Sequence, residues 1–355
     1  MQELLHEKQD LWTHLGRTDR PIFLYGMGDG AEKILSVLER RGVSIAGFFA
    51  SDEFVRGHSF KGHLVRKYSE VRAEHPDLVA LLAFAIDYEP MLSRLNQMDE
   101  ECEFYAPDVP VIPMDEQVFD LDYLRRHEPE LDEVYHRLAD EQSRRVFRDV
   151  LDYKISGKIR YLRGCETETA EAYRLLELSP GEAYVDLGAY NGDTVREFLR
   201  YCPSYERIIA FEPDSRNFRK LTAYLKESGV ERAEAYPFGA WSEPGTLYFK
   251  GGKGGRNSML SKEGSRAVEV DTVDRVCTGR VSLLKLDVEG AESEAVRGAS
   301  CTIREQKPKI MLSAYHKNED LFALPLQILE LNPAYRVYLR HHPYVPAWET
   351  NFYFI

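Results

Sequence analysis

Cysteine is scarce and badly placed for pairing: five in 355 residues, at Cys102, Cys165, Cys202, Cys277 and Cys301. An odd, scattered set with no C-x-x-C pair and no Cys/His zinc spacing supports neither a disulfide framework nor a structural zinc. Long apolar runs are missing too. The longest, LVALLAFAI at 78–86, is far too short to span a bilayer and reads as a buried strand. The opening MQELLHEKQDLWTHLGR has acids and histidines where a signal peptide would be apolar, so a cytoplasmic protein with no membrane partner is expected. Positive charge is in deficit. A net charge of −13 argues against a nucleic-acid partner, which needs a basic face. No solenoid repeat and no low-complexity tract is present.

What remains is the composition of an ordinary globular protein, 43% hydrophobic and 30% charged, long enough for two domains. Residues 1–115 read as an N-terminal Rossmann-like α/β domain. It holds one amphipathic helix over 1–19, packed through Leu4, Leu5, Trp12 and Leu15, then a strand–loop–helix–strand unit at 21–53. A connecting turn and helix follow at 60–75, with a strand at 78–86 and a Pro-marked end at 106–113. Residues 116–164 read as a helical bridge. Leu131, Val134, Leu138, Val146, Phe147, Val150 and Leu151 recur at helical spacing there, with no Gly or Pro over 131–156.

Residues 165–355 carry the strongest signal. YVDLGAYNGDT at 184–194 is an apolar strand, a glycine loop and a helix start, and IIAFEPDS at 208–215 is a second strand ending on an acid. Glu212 falls about 20 residues after the loop, the spacing that presents a carboxylate to a ribose diol. The loop lacks the G-x-G-x-x-G that would line a pyrophosphate with N–H groups. A ligand with a ribose, an adenine, an amino-acid tail and no phosphate fits better, namely S-adenosylmethionine. Gly188 and Gly192 let the backbone turn and approach it. Asp186 is placed for the ammonium, and Asp193 and Thr194 either cap the helix or face the ligand. Further apolar strands at 281–287 and 309–316 precede a terminal pair at 335–342 and 349–355. The expected fold is α/β, a mostly parallel Rossmann-like sheet with an antiparallel last strand.

The run VDLGAYNGDT, AFEPDSRNFRKL, VEVDTVDRV, LLKLDVEGAE, YHKNEDL and WETNFYF resembles the FkbM family of S-adenosylmethionine-dependent methyltransferases. The resemblance covers roughly 165–355. It implies donor contacts from Ala189, Tyr190 and Asn191 in the loop, from Pro213 and Asp214 beside Glu212, and from Asp287. Adenine contacts are implied at 238–243, through Gly239, Ala240 and Trp241, the last either stacking or merely packing. It also implies methylation of a hydroxyl on a sugar, a glycan precursor or a secondary metabolite, a small-molecule or glycan acceptor in either case. A homodimer is compatible with the sequence. A non-catalytic sensor of the same ligand is the rival from another class. An NAD-dependent oxidoreductase built on the first loop explains none of the later motifs.

A hydroxyl acceptor needs a base near the transition state. Asp287 and Glu289 are two apart and would share one side of an extended strand, with Glu292 in the first helical turn. His316, ending the next strand, is the best proton acceptor by intrinsic pKa, or else a strand-end hydrogen-bonding group. Asp287, Glu289 and a histidine also have the make-up of a divalent-ion site, but carboxylates near a helix start are more often caps, so no metal is expected. Lys285, inside a buried strand, needs a counter-charge. Arg256, Asn257 and Ser258 in the glycine-rich loop at 251–264 are candidate acceptor contacts, the alternative being a plain hairpin. In the N-terminal domain, GMGDGAEK at 26–33, with Gly26, Gly28 and Gly30, matches G-x-G-x-x-A and has Asp52 at the next strand end. That pattern is a nucleotide site or a scaffold keeping the same turn.

Overall fold

The computed structural model describes the chain except residues 112–116, 251–258, 262 and 265, and the side chains of Gln2, Lys250 and Met259. Its N-terminal sheet contains β1 (Ile22–Tyr25), β2 (Gly47–Ala50), β3 (Ser59–Phe60), β4 (His63–Lys67), β5 (Val79–Leu82) and β6 (Glu103–Tyr105). The order is β3-β4-β2-β1-β5-β6. All pairs are parallel except the β3–β4 hairpin. Strands β1, β2 and β5 are buried along their whole length, which is why they read as unbroken apolar runs. Two expectations fail here. The segment 60–75 supplies a strand of the sheet as well as the helix Tyr68–Glu74, because polar residues on a sheet flank hide the alternation. Residues 1–19 form a 3₁₀ turn at Gln2–Leu4 and a helix at Leu11–Leu15 with Leu4 exposed, while Leu5, Trp12 and Leu15 are buried.

The bridge is helical: Leu121–Arg126, Glu128–Arg137, Glu141–Ser156 and Ile159–Cys165. All seven apolar residues read as its packing stripes are buried. It is welded on both sides. Asp152, buried in the longest helix, accepts the backbone N–H groups of His6 at 3.2 Å and Glu7 at 2.9 Å. On the other side the buried Arg340 meets Asp140 Oδ2 at 2.7 Å and Ser143 Oγ at 2.8 Å.

The C-terminal sheet contains β7 (Glu182–Leu187), β8 (Tyr205–Phe211) and β9 (Ala233–Tyr236), then β14 (Leu283–Leu286), β15 (Lys309–Ser313), β16 (Val337–His341) and β17 (Thr350–Phe354). Its order is β16-β17-β15-β14-β7-β8-β9. Only β17 runs against its neighbours, as expected for the last strand. Between β9 and β14 lies a feature the sequence reading reduced to one strand and a loop. Strands β10 (Gly239–Ala240), β11 (Gly245–Lys250), β12 (Met259–Ser261) and β13 (Arg266–Asp271) form a separate sheet in the order β10-β13-β11-β12. It has its own core of Leu247, Phe249, Leu260, Val268 and Val270.

Candidate active site

The parallel strands deliver their carboxyl ends to one edge, and an antiparallel β17 brings its amino end to that same edge. A cavity of about 470 Å³ opens there, where doubly wound sheets bind ligands. One end is bordered by Glu212, Pro213, Asn217, Phe238 and Leu260, the middle by Gly188, Tyr190, Thr194 and Lys285, and the other end by Asp287, Tyr315, Trp348 and Glu349.

The glycine loop is forced. Gly188 has φ +87°, and a Cβ there would sit 1.9 Å from the Asp287 carbonyl oxygen, so β7 and β14 meet at a distance only glycine allows. Gly192, also at positive φ, starts the helix Asp193–Tyr201 against the ring of Tyr224. Asp186 is fully buried. One of its oxygens accepts the Thr194 hydroxyl, and the other has no hydrogen-bond partner, with Lys285 Nζ 3.8 Å away. Burial opposes the charge on Lys285, yet Asp287 and Asp186 outweigh it and hold the ammonium above its ordinary range.

Glu212 is nearly buried and does more than end a strand. Its Oε2 accepts the Tyr190 N–H at 2.9 Å and its Oε1 the Asp214 N–H at 2.7 Å, which ties the loop to β8. Each oxygen keeps a second lone pair. Burial, with Asp214 and Asp186 nearby, raises its carboxyl to about 8 despite those two bonds. This is an acid short of donors, the condition a ribose diol would relieve by donating two O–H groups.

Other expected contacts divide. Tyr190, Asp193, Thr194, Pro213, Gly239, Ala240 and Asp287 border the cavity. Asp214 borders it too, but its side chain caps the helix Ser215–Glu227 and pairs with Arg266 at 2.6 Å. Asp186, Ala189, Asn191, Gly192 and Trp241 do not line it. Trp241 packs on the small sheet's core, so its packing alternative holds. Arg256, Asn257 and Ser258 lie outside the described residues. Gly26, Gly28 and Gly30 do not border the cavity, and a Cβ on Gly30 would lie 2.3 Å from the Ala83 carbonyl oxygen, so this glycine serves close packing. Asp52 accepts the Ser69 N–H at 3.1 Å. From the N-terminal domain it is Asp87 and Val111 that reach the cavity.

Asp287 and Glu289 face the same histidine, but not by strand alternation. The chain leaves β14 at Leu286, and Glu289 and Gly290 turn through φ +53° and +89°. His316 Nε2 lies 3.7 Å from Asp287 Oδ1 and 3.8 Å from Glu289 Oε2, while Nδ1 forms an ion pair at 3.0 Å with Glu292 Oε1, off hydrogen-bond geometry. Burial alone would strip the imidazole of its proton, but Glu292 first, then Glu289 and Asp287, outweigh it and raise the group to about 10. The three acids thus favour the protonated ring, the form that pairs with carboxylates, over the neutral form that accepts a proton. Asp287, Glu292 and His316 bring ligand atoms within 4.8 Å of one another, the make-up of a divalent-ion site. Yet Glu292 Oε1 already accepts the N–H groups of Val288 at 2.9 Å and Gly290 at 3.3 Å, so it clasps the turn.

Sequence reasoning missed Asp87, Tyr315, Trp348 and Glu349. The signal for Glu349 was there: an acid entering an antiparallel last strand sits at the active edge. Tyr315 donates to Asp287 Oδ1 at 3.1 Å, anchoring it.

Known proteins resemble the chain in sequence and in fold. Residues 186–346 match the family model of the Methyltransferase FkbM domain. The crystal structure of methyltransferase FkbM from Methylobacillus flagellatus KT superposes with a TM-score of 0.72 at 22% identity, covering 95% of this chain and 90% of that one. The likeness in fold thus extends through the N-terminal sheet. A precorrin-6y C5,15-methyltransferase from Geobacter metallireducens GS-15 gives a TM-score of 0.34 at 12% identity, over 52% of this chain and 84% of its own. An rRNA methylase from Streptococcus thermophilus gives 0.35 at 13%, over 52% and 93%. No curated protein matches the sequence. Among the described residues no helix is long and apolar enough to cross a membrane. The stretch that builds the glycine loop, Glu212 and the Asp287–His316 cluster lies within residues 186–346, which match the methyltransferase FkbM domain, and the fold around it is that of a methyltransferase.

Proposed function

We propose that the protein takes its methyl group from S-adenosylmethionine and places it on a hydroxyl of a sugar, glycan precursor or secondary metabolite. When bound, the sulfonium donor supplies an electrophilic methyl that transfers by in-line displacement. The observation that carries the reading is Glu212: a buried acid held by two backbone N–H groups, raised to about 8 and facing the cavity. Such a group favours a diol, and Asp186, buried behind the cavity-lining Thr194 whose hydroxyl it accepts, favours a ligand's ammonium nearby. The chain's share of catalysis is to hold both partners in line and keep water out. The cavity is also bordered by the rings of Tyr315, Tyr344 and Trp348 and by Asp87, Glu289 and Glu349. Aromatic faces and hydroxyl-accepting acids suit a polyhydroxylated acceptor and suit a polyanion badly.

The N-terminal domain joins in acceptor recognition through Asp87 and Val111, not through its glycine loop. Calorimetry with S-adenosylmethionine and its demethylated product tests the donor. A mass-spectrometric screen of nucleotide sugars and glycosides, scored for a gain of one methylene, tests the acceptor. Tight donor binding with no methylated product across that screen would favour the sensor reading.

A further inference from the structure

We infer that Glu349 is the residue that takes the acceptor's proton, an assignment resting on the hydroxyl-methylation reading above. It lies three positions beyond the stretch 186–346 that matches the family model, and it borders the cavity at the end of Asp287, Tyr315 and Asn351.

Its backbone is the first argument. Glu349 has φ +61°, a left-handed conformation that favours glycine and costs a side-chain-bearing residue free energy. Its carbonyl oxygen accepts the His342 N–H at 3.0 Å, closing the turn between β16 and β17 and pinning the residue at the cavity edge. A strained, polar, non-glycine residue at such a point is the pattern of a site where the side chain matters more than the turn.

Its partners are the second. The groups facing it are Asp287 and Lys285 at β14, Glu197 on the helix Asp193–Tyr201, Tyr315 after β15, and Asn351 and Tyr353 on β17. The nearby cation is spent: Lys285 Nζ sits 3.5 Å from Asp287 and 3.8 Å from Asp186. Among the described residues Glu349 has no ion pair, and the Asn351 side-chain N–H reaches it only at 3.5 Å. Burial first, then Asp287, raises its carboxyl to about 7, where a base is both ionised and effective. Of the three expected candidates, His316 is drawn towards its protonated form by its acids, Asp287 is held below the usual range by Lys285 and His316 against its burial, and Glu289 faces the His316 ring at 3.8 Å.

In the step itself, Glu349 accepts the hydroxyl proton as the acceptor oxygen bonds to the methyl carbon. The carbon–sulfur bond breaks and its electron pair leaves with sulfur, turning a sulfonium into a neutral thioether. Glu349 then returns the proton to water at the cavity mouth.

The test needs the full-length protein and the variants Glu349→Gln and Glu349→Gly, the second relaxing the backbone so that the fold is kept. Infrared difference titration without ligand should show a protonated-carboxyl band disappearing near pH 7 in the wild type and missing from both variants, beside the bands of Glu212 and Asp320 near pH 8 that all three proteins share. A wild type without that band, or a variant that keeps it, overturns the assignment. With an acceptor from the screen, both variants should lose about 10²- to 10⁴-fold in kcat/KM and the acid limb of the pH profile, with donor affinity within about threefold. Activity within threefold of wild type, or a surviving limb, overturns it. A wild type that fails to bind S-adenosylmethionine sinks the function reading instead, whatever the carboxyl titration shows.

Discussion

Glu212 makes a quantitative prediction about how protons and nucleosides compete. Its carboxyl stands at about 8 in the empty site, against an ordinary 4.5. At pH 7 it is therefore about nine-tenths protonated, while a carboxylate clamped by a ribose diol is ionised, so binding should release about 0.9 proton. The same linkage makes affinity rise about tenfold between pH 7 and pH 9, about 1.4 kcal/mol, and flatten above. Adenosine is the probe of choice, since it keeps the diol and lacks the titratable amino-acid tail. Calorimetry in two buffers of different ionisation enthalpy counts the proton directly, and 2′,3′-dideoxyadenosine is the control. Glu212→Gln should bind adenosine about ten- to a hundredfold more weakly, the scale of hydrogen bonds to a charged group, with no pH slope. Fewer than about 0.2 protons released by wild type, or an equal slope with the dideoxy compound, would refute the diol-clamp argument.

Gly188→Ala combines a strained φ with a Cβ 1.9 Å from a backbone oxygen. Thermal unfolding should show a loss beyond about 1 kcal/mol, and a well-folded variant with wild-type adenosine affinity would contradict the packing account. Arg340→Leu leaves Asp140, one-third exposed and still bonded by Ser143, without its cation and should cost about 1.5–3 kcal/mol in denaturant melts; a loss under about 0.5 kcal/mol would mean the ion pair is dispensable. His316 has a folded pKa raised to about 10 from 6.5, so its stabilisation is complete below pH 6.5 and is lost as pH climbs towards 10. His316→Gln should flatten that part of the stability–pH curve, and an unchanged slope would return the histidine to its neutral form. Asp152→Ala frees the N–H groups of His6 and Glu7, so amide exchange should speed up in the first ten residues before it does elsewhere.

Much of this was legible before any coordinates. Fully buried strands such as β1, β5 and β7 announce themselves as apolar runs, and the Gly188–Glu212 spacing carries the donor end of the cavity. The bridge's stripes were readable because helical periodicity survives at a domain boundary. Strand β4 was not, since HLVRK has the polarity of a loop when one side of the sheet meets water. The four-stranded insert hid for a related reason: β10 and β12 have only two and three residues, and the four strands pair with each other and not with the main sheet. The pull on the His316 proton was not readable, because it is set by three acids that adjoin the ring through the left-handed turn at Glu289.

The exchange of two backbone hydrogen bonds between Ile86 and Val345, at 2.8 and 2.9 Å, has a consequence for engineering. Val345 sits in the loop that presents Tyr344, Trp348 and Glu349, so the amino-terminal domain is riveted to the rim it helps to shape. Excising that domain to obtain a minimal catalyst should distort the rim. Conversely, exchanging it between relatives offers a handle on acceptor preference that leaves every donor contact untouched.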